Sequence, residues 1–87
     1  VSGPPELTLY ERAGCHLCAD LVEALDALFP AGSYRLRRID IDTDAEPVLR
    51  TLYDTEVPVL VGGGHELSRH FLDPVPVRAW LAGYNRE

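Results

Sequence analysis

The chain has no lysine. Its side-chain positive charge rests on eight arginines against fourteen acidic residues, for a formal net charge of -6. An acidic chain lacks the basic face that a nucleic-acid partner needs, so none is expected. The one basic cluster is Arg35, Arg37 and Arg38. It is interleaved with Tyr34, Leu36 and Ile39 and reads as the solvated face of a strand. Long hydrophobic runs are missing too. Nothing approaches the roughly 20 apolar residues that span a bilayer. The best candidate, Leu21 to Phe29, is broken by Glu23 and Asp26, so no membrane partner is expected. Val1 to Pro5 carries no basic stretch leading into an apolar one and does not read as a secretory signal. A reducing cytoplasm is the expected location. With no linker, repeat or low-complexity tract, 87 residues read as one domain over 1–87, expected to be monomeric.

Cysteine is scarce. The two present are too few for a disulfide framework. Both fall in one motif, Cys15-His16-Leu17-Cys18, after a strand-like run from Leu7 to Tyr10 and at the start of a helical pattern. A helix N-terminus favours a thiolate, the reactive form of cysteine. Cys15, at that N-terminus, is the candidate nucleophile. Cys18, one turn on, falls on the same helical side as Leu21, Val22, Leu25, Leu28 and Phe29 and is the candidate resolving thiol. Two intervening residues let the sulfurs meet without unfolding the helix start. The expected chemistry is dithiol–disulfide exchange, with His16 and Leu17 between the cysteines tuning it. Glu11, Asp20 and Glu56 would oppose a thiolate if they lie close in space.

The remaining elements follow from local signals. Glu6 to Glu11 alternates like a strand and ends near Gly14. Pro30 to Gly32 ends the first helix. Tyr34 to Asp42 reads as a second strand. Asp44 is the expected cap of a short helix with Pro47 in its first turn and Val48, Leu49 and Leu52 as its apolar positions. Val57 to Val61 is a wholly apolar third strand, as in a sheet covered on both faces. Gly62 to Gly64 reads as a hairpin turn into a fourth strand, His65 to Phe71. Asp73-Pro74 opens a last helix with Val77, Trp80, Leu81 and Tyr84 on its buried stripe. The class is therefore α/β, in the order βαβαββα. A four-stranded mixed sheet should carry helices 1 and 3 on one face and helix 2 on the other.

This order, with Tyr10, Gly14, the cysteine pair, Asp40-Ile41-Asp42 and Val57-Pro58, resembles the thioredoxin fold. It is most similar to the glutaredoxin-like family of small bacterial proteins. The resemblance implies a cis Pro58 beside the cysteines and a Val57 backbone free to pair with an extended substrate. It also implies a thiol–disulfide oxidoreductase that acts on a protein disulfide or a low-molecular-weight thiol. No cofactor is expected to stay bound, glutathione being a candidate co-substrate. A reductase is a candidate partner, and the acidic surface would steer a cationic one. Two family features differ. Glutaredoxins carry a lysine before the motif that holds a glutathione carboxylate, and Arg12 is the cation that could substitute. Their Gly-Gly pair after the fourth strand falls near Ser68-Arg69, which weakens the case for glutathione.

The rival readings are a metal-binding module and a thioredoxin-fold interaction module whose cysteines do little. Cys15, His16 and Cys18 with His65 or His70 could in principle ligate zinc, yet neighbours at a helix start point apart. His65 and His70 read better as surface residues, and no metal is expected. Haem attachment needs a histidine at position 19, which is alanine.

Overall fold

A computed structural model describes residues 3–84, so the reading of Val1 and Ser2 lies outside the described residues. The elements are β1 (Glu6–Glu11), α1 (His16–Leu28), β2 (Arg35–Asp40), α2 (Pro47–Tyr53), β3 (Val59–Gly62), β4 (His65–Arg69) and α3 (Pro74–Tyr84). The sheet runs β2-β1-β3-β4. β1 pairs parallel with β2, and the β1–β3 and β3–β4 pairs are antiparallel. This is a mixed sheet of the thioredoxin type.

Alternation along β1 sends Leu7 and Leu9 to one face. There they meet Leu60 of β3, Leu21, Leu25 and Phe29 at the α1 side, and Val77 and Leu81 of α3. Full burial of a leucine side chain is worth about 2 kcal/mol, so this face carries the main core. On the other face Tyr53 of α2 packs on Tyr10, ring centroids 5.1 Å apart. Helices α1 and α3 thus share one face and α2 takes the other.

Several boundaries differ from the sequence expectation, each for a local reason. Phe29 is extended and ends α1 (φ -125°, ψ 134°), because the residue before a proline is pushed out of the helical region. The same rule acts at Pro47. The cap of α2 is Glu46, extended at φ -63° and ψ 149°, and not Asp44. Asp44 instead sits in a turn, its N–H donating to the carbonyl of Asp40 at 2.8 Å. The buried side of α2 is set by Tyr53, while Val48 and Leu52 are exposed. β2 is shorter than Tyr34 to Asp42, and β3 starts at Val59, after Pro58. β4 stops at Arg69, because His70 takes a left-handed backbone (φ 69°). Gly62 belongs to β3, and the hairpin loop is Gly63-Gly64 alone. Both have positive φ, 56° and 81°, as a tight two-residue hairpin turn demands. Asp73 does cap α3: its Oδ1 accepts from the N–H of Val75 at 3.1 Å.

Candidate active site

The sheet order brings three loops to one end. β1 points its C-terminus toward the segment that carries Cys15. β2, parallel to β1, delivers Asp40 and Asp42 to the same end. β3 runs the other way, so its N-terminal side, at Val57 and Pro58, lies across from the end of β1 (Tyr10 pairs with Val59). The Val57–Pro58 peptide is cis. The carbonyl of Pro58 accepts from the N–H of His70 at 2.8 Å, which ties it to the end of β4.

Cys15 is the N-cap of α1, and its sulfur accepts from the backbone N–H of Cys18 at 3.1 Å. The first turn of α1 contains no acidic residue, so nothing on the helix offsets the positive end of its dipole there. Cys15 is half-buried, whereas Cys18 is 2% exposed. The two are joined as a disulfide with Cα atoms 5.2 Å apart. The site therefore has one sulfur that a partner can reach and one that only Cys15 can reach. His16 is exposed on the first turn of α1, and Leu17 is 37% exposed beside it.

An open cleft of about 540 Å³ adjoins Cys15. Its walls include Glu11, Arg12, His16, Arg38 and Asp40. Both guanidiniums in it are engaged. Arg12 Nε and Nη2 donate to the two carboxylate oxygens of Asp42 at 2.8 and 3.1 Å. Nη2 also donates to Asp54 Oδ1 at 2.6 Å, and Nη1 to the Asp54 carbonyl at 2.8 Å. Only one of the five guanidinium N–H groups is left over. Arg38 forks onto Glu11 at 2.7 and 2.9 Å. Arg12, the cation expected to bind substrate, is thus a clamp joining the loops after β1, β2 and α2.

Ser68 and Arg69, where the resemblance would place a glycine pair, are equally occupied. The Ser68 hydroxyl accepts from the N–H of Asp73 at 2.9 Å and donates to its carbonyl at 3.3 Å. Arg69 forks onto Glu66 at 2.9 and 2.6 Å and reaches Glu56 at 3.0 Å. His70 Nε2 stands 3.4 Å from the same Glu56 oxygen. Glu11 and Glu56 accordingly face arginines and are not free charges turned on Cys15. Among the described residues no three His, Cys, Asp or Glu side chains gather as a metal site, and no helix is long and apolar enough to cross a membrane.

These pairs set an acid limit. Hydrogen bonds from Arg12 hold Asp42 below the usual carboxylate range; the Thr55 hydroxyl and then Arg69 do the same for Glu56. Both groups bind protons less tightly folded than unfolded. Their stabilisation is complete above the unfolded values near 4 and is lost as pH falls through the lower folded ones. Urea midpoints should hold between about pH 6 and 5 and drop below about pH 4. Asp42→Asn should make that drop shallower; an identical acid slope in the variant would exclude Asp42 as a source.

Relatives of known sequence and structure agree with this layout. A family profile described as Glutaredoxin-like domain (DUF836) matches residues 6–82. The chain belongs to this glutaredoxin-like family. Uncharacterized proteins of Mycobacterium tuberculosis and Mycobacterium bovis are 32% identical over 81 residues, 90% of this chain and 84% of theirs. A protein of Nitrosomonas europaea solved in solution is 34% identical, with a TM-score of 0.77 over 92% of this chain and 94% of its own. An X-ray structure of a protein from X. campestris is 42% identical, with a TM-score of 0.64 over 88% and 96%. The cysteine pair of this glutaredoxin-like chain thus sits in a family setting where a redox role fits. The ion pairs around it are a property of its own residues. Sequence reading singled out Arg12 but missed its partners, and it missed Arg38 and Asp40 as cleft residues. The acidic Asp40-Ile41-Asp42 run was the one available signal.

Proposed function

We propose that the protein is a thiol–disulfide oxidoreductase that works through the Cys15–Cys18 dithiol. What carries the reading is the asymmetry of the pair: a reachable sulfur at a helix N-cap backed by a buried one within bonding reach. In the reduced protein the Cys15 thiolate attacks one sulfur of a substrate disulfide. A mixed disulfide forms, and the first substrate sulfur leaves as a thiolate that takes up a proton. Cys18 then loses its proton and attacks the Cys15 sulfur. The intramolecular disulfide forms, the second substrate thiol leaves, and two electrons have passed from protein to substrate. An external thiol or dithiol, which a reductase could supply, resets the pair. The free N–H groups at the start of α1 stabilise the attacking and leaving forms of Cys15. His16 and Leu17 are placed to tune it, and the cis Val57–Pro58 segment at the same sheet end is the candidate contact for a substrate chain. A substrate protein in the cytoplasm is favoured over glutathione, because Arg12 and Arg69 both spend their hydrogen bonds on internal carboxylates.

A redox titration of the pair in dithiothreitol buffers, read by alkylation and mass spectrometry, tests this. A reversible two-electron transition between about -120 and -270 mV, the span of thioredoxin-type proteins, is expected. No reversible disulfide in any buffer would end the reading.

A further inference from the structure

The cleft beside Cys15 has cations but offers almost no free positive charge. Arg12 stands three residues before the nucleophile, and the Cys15 N–H donates to its carbonyl at 3.3 Å. A lone guanidinium there would do two things. It would lower the energy of the Cys15 thiolate, since a nearby opposite charge favours the ionised form. It would also attract a thiol that carries carboxylates. Asp42 and Asp54 face it instead from two separate loops, 30 and 42 residues away in sequence. Arg38, the other cation of the cleft, is held by Glu11, and Asp40 adds an acid with no arginine partner among the described residues. The two guanidiniums of the cleft therefore share it with Glu11 and Asp40 and meet Asp42 and Asp54 beside it.

We propose that Asp42 and Asp54 are specificity-determining residues that mask Arg12, so that the site disfavours anionic low-molecular-weight disulfides and the Cys15 thiolate gains little from that cation. The inference rests on the exchange reading of Cys15 and names what that site rejects. At position 54 asparagine keeps the one side-chain oxygen that accepts from Arg12 and removes only the charge, whereas at 42 it keeps one of the two accepting oxygens. The masking role is then separable from the clamping role, in which Arg12 holds the three loops together. If Arg12 were only a clamp, removing a carboxylate charge and removing the arginine would disturb the site in the same direction. Masking requires opposite directions.

The variants are Asp42→Asn, Asp54→Asn, the double variant and Arg12→Gln, each reduced first. The first readout is the pH midpoint of Cys15 alkylation by iodoacetamide. The charged groups that bear on it are Glu11, Arg38, Asp40, His16, Asp42, Asp54 and the end of α1. At effective dielectrics typical of a protein surface, one unmasked charge about 10 Å away is worth on the order of one pH unit. The double asparagine variant should lower the midpoint by about that much, and Arg12→Gln should raise it. The second readout is kcat/KM for a glutathione mixed disulfide against the neutral hydroxyethyl disulfide. The double variant should gain about 3- to 10-fold on the anionic substrate, the gain weakening in high salt, and less than about 2-fold on the neutral one. Midpoints that move together in all variants, or equal gains on both substrates, would overturn masking. The alkylation readout needs no turnover. If the wild-type protein reduced no disulfide at all, the exchange reading would fail while the masking of Arg12 would still be decided.

Discussion

Cys15→Ser should abolish disulfide exchange, lowering the rate of reduction of any disulfide substrate by at least about 1,000-fold, to the uncatalysed level. The thiolate, not the thiol or a hydroxyl, is the attacking species, and serine cannot ionise at neutral pH. No other sulfur can take over, since Cys18 is 2% exposed and faces the core from the first turn of α1. Cys18→Ser should fail differently. Cys15 would still attack, but nothing would displace the substrate from it. One turnover should leave a mixed disulfide, seen by intact mass as the protein plus one substrate thiol and removed by dithiothreitol. Serine is small enough for both positions, so circular dichroism should match that of the reduced wild-type protein. Full function in its pathway retained by Cys15→Ser, with exchange lost, would show that the cysteines are bystanders and return the chain to the class of interaction modules. A Cys18→Ser protein that turned over without trapping would instead mark a single-cysteine mechanism, with an outside thiol as the resolving group.

The features behind that prediction were legible because they are local. A motif between a strand and a helix fixes which cysteine caps the helix. The spacing of Cys18 with Leu21 and Leu25 fixes which one is buried. The order of elements and the faces taken by the helices followed from the same periodicities. Misplaced features had competing local signals. Asp44 is the better capping residue by type, yet Pro47 dictates where α2 can begin, and that makes Glu46 the cap. On α2 the apolar Val48 and Leu52 outnumber the residue that is buried, Tyr53, whose ring finds Tyr10 across the fold. The charge pattern of the site was legible only as Arg12 and the Asp40-Ile41-Asp42 run, not as pairs. Composition counts arginines and acids but cannot say that Arg12, Asp42 and Asp54 leave three loops at one sheet end. That depends on β2 and β3 flanking β1, a long-range fact that no short window contains.

Gly62→Ala should destabilise the protein by about 1–3 kcal/mol, the usual cost of an added methyl group in a packed place. The sign is informative because the default runs the other way. At a strand position without a left-handed backbone, replacing glycine restricts the unfolded chain and stabilises by roughly 0.4–1 kcal/mol. Gly62 pairs with Leu7 on one side and His65 on the other, and a Cβ there would sit 2.9 Å from Leu67 Cδ1 and 2.9 Å from Trp80 Cδ2. Leu67 can change rotamer. The Trp80 indole is broad and stiff, and its ring also stacks on Tyr84 at 5.7 Å, so it has to move as a plate. Overpacking should therefore win over chain entropy, and Tm should fall by about 4–8 °C for each kcal/mol lost in a domain of this size. Trp80→Leu opens the space. In that background the same alanine should cost at least about 0.5 kcal/mol less, a coupling that a thermal or urea double-mutant cycle resolves. Gly64→Ala is the contrast. Nothing lies within 4 Å of a Cβ there, but φ is +81°, so its cost is backbone strain and should be untouched by Trp80→Leu. A stabilising Gly62→Ala, or one with no coupling to Trp80, would mean that the last helix does not press on this strand end. Gly62 would then be an ordinary strand residue of β3, set by the turn chemistry of Gly63-Gly64 alone.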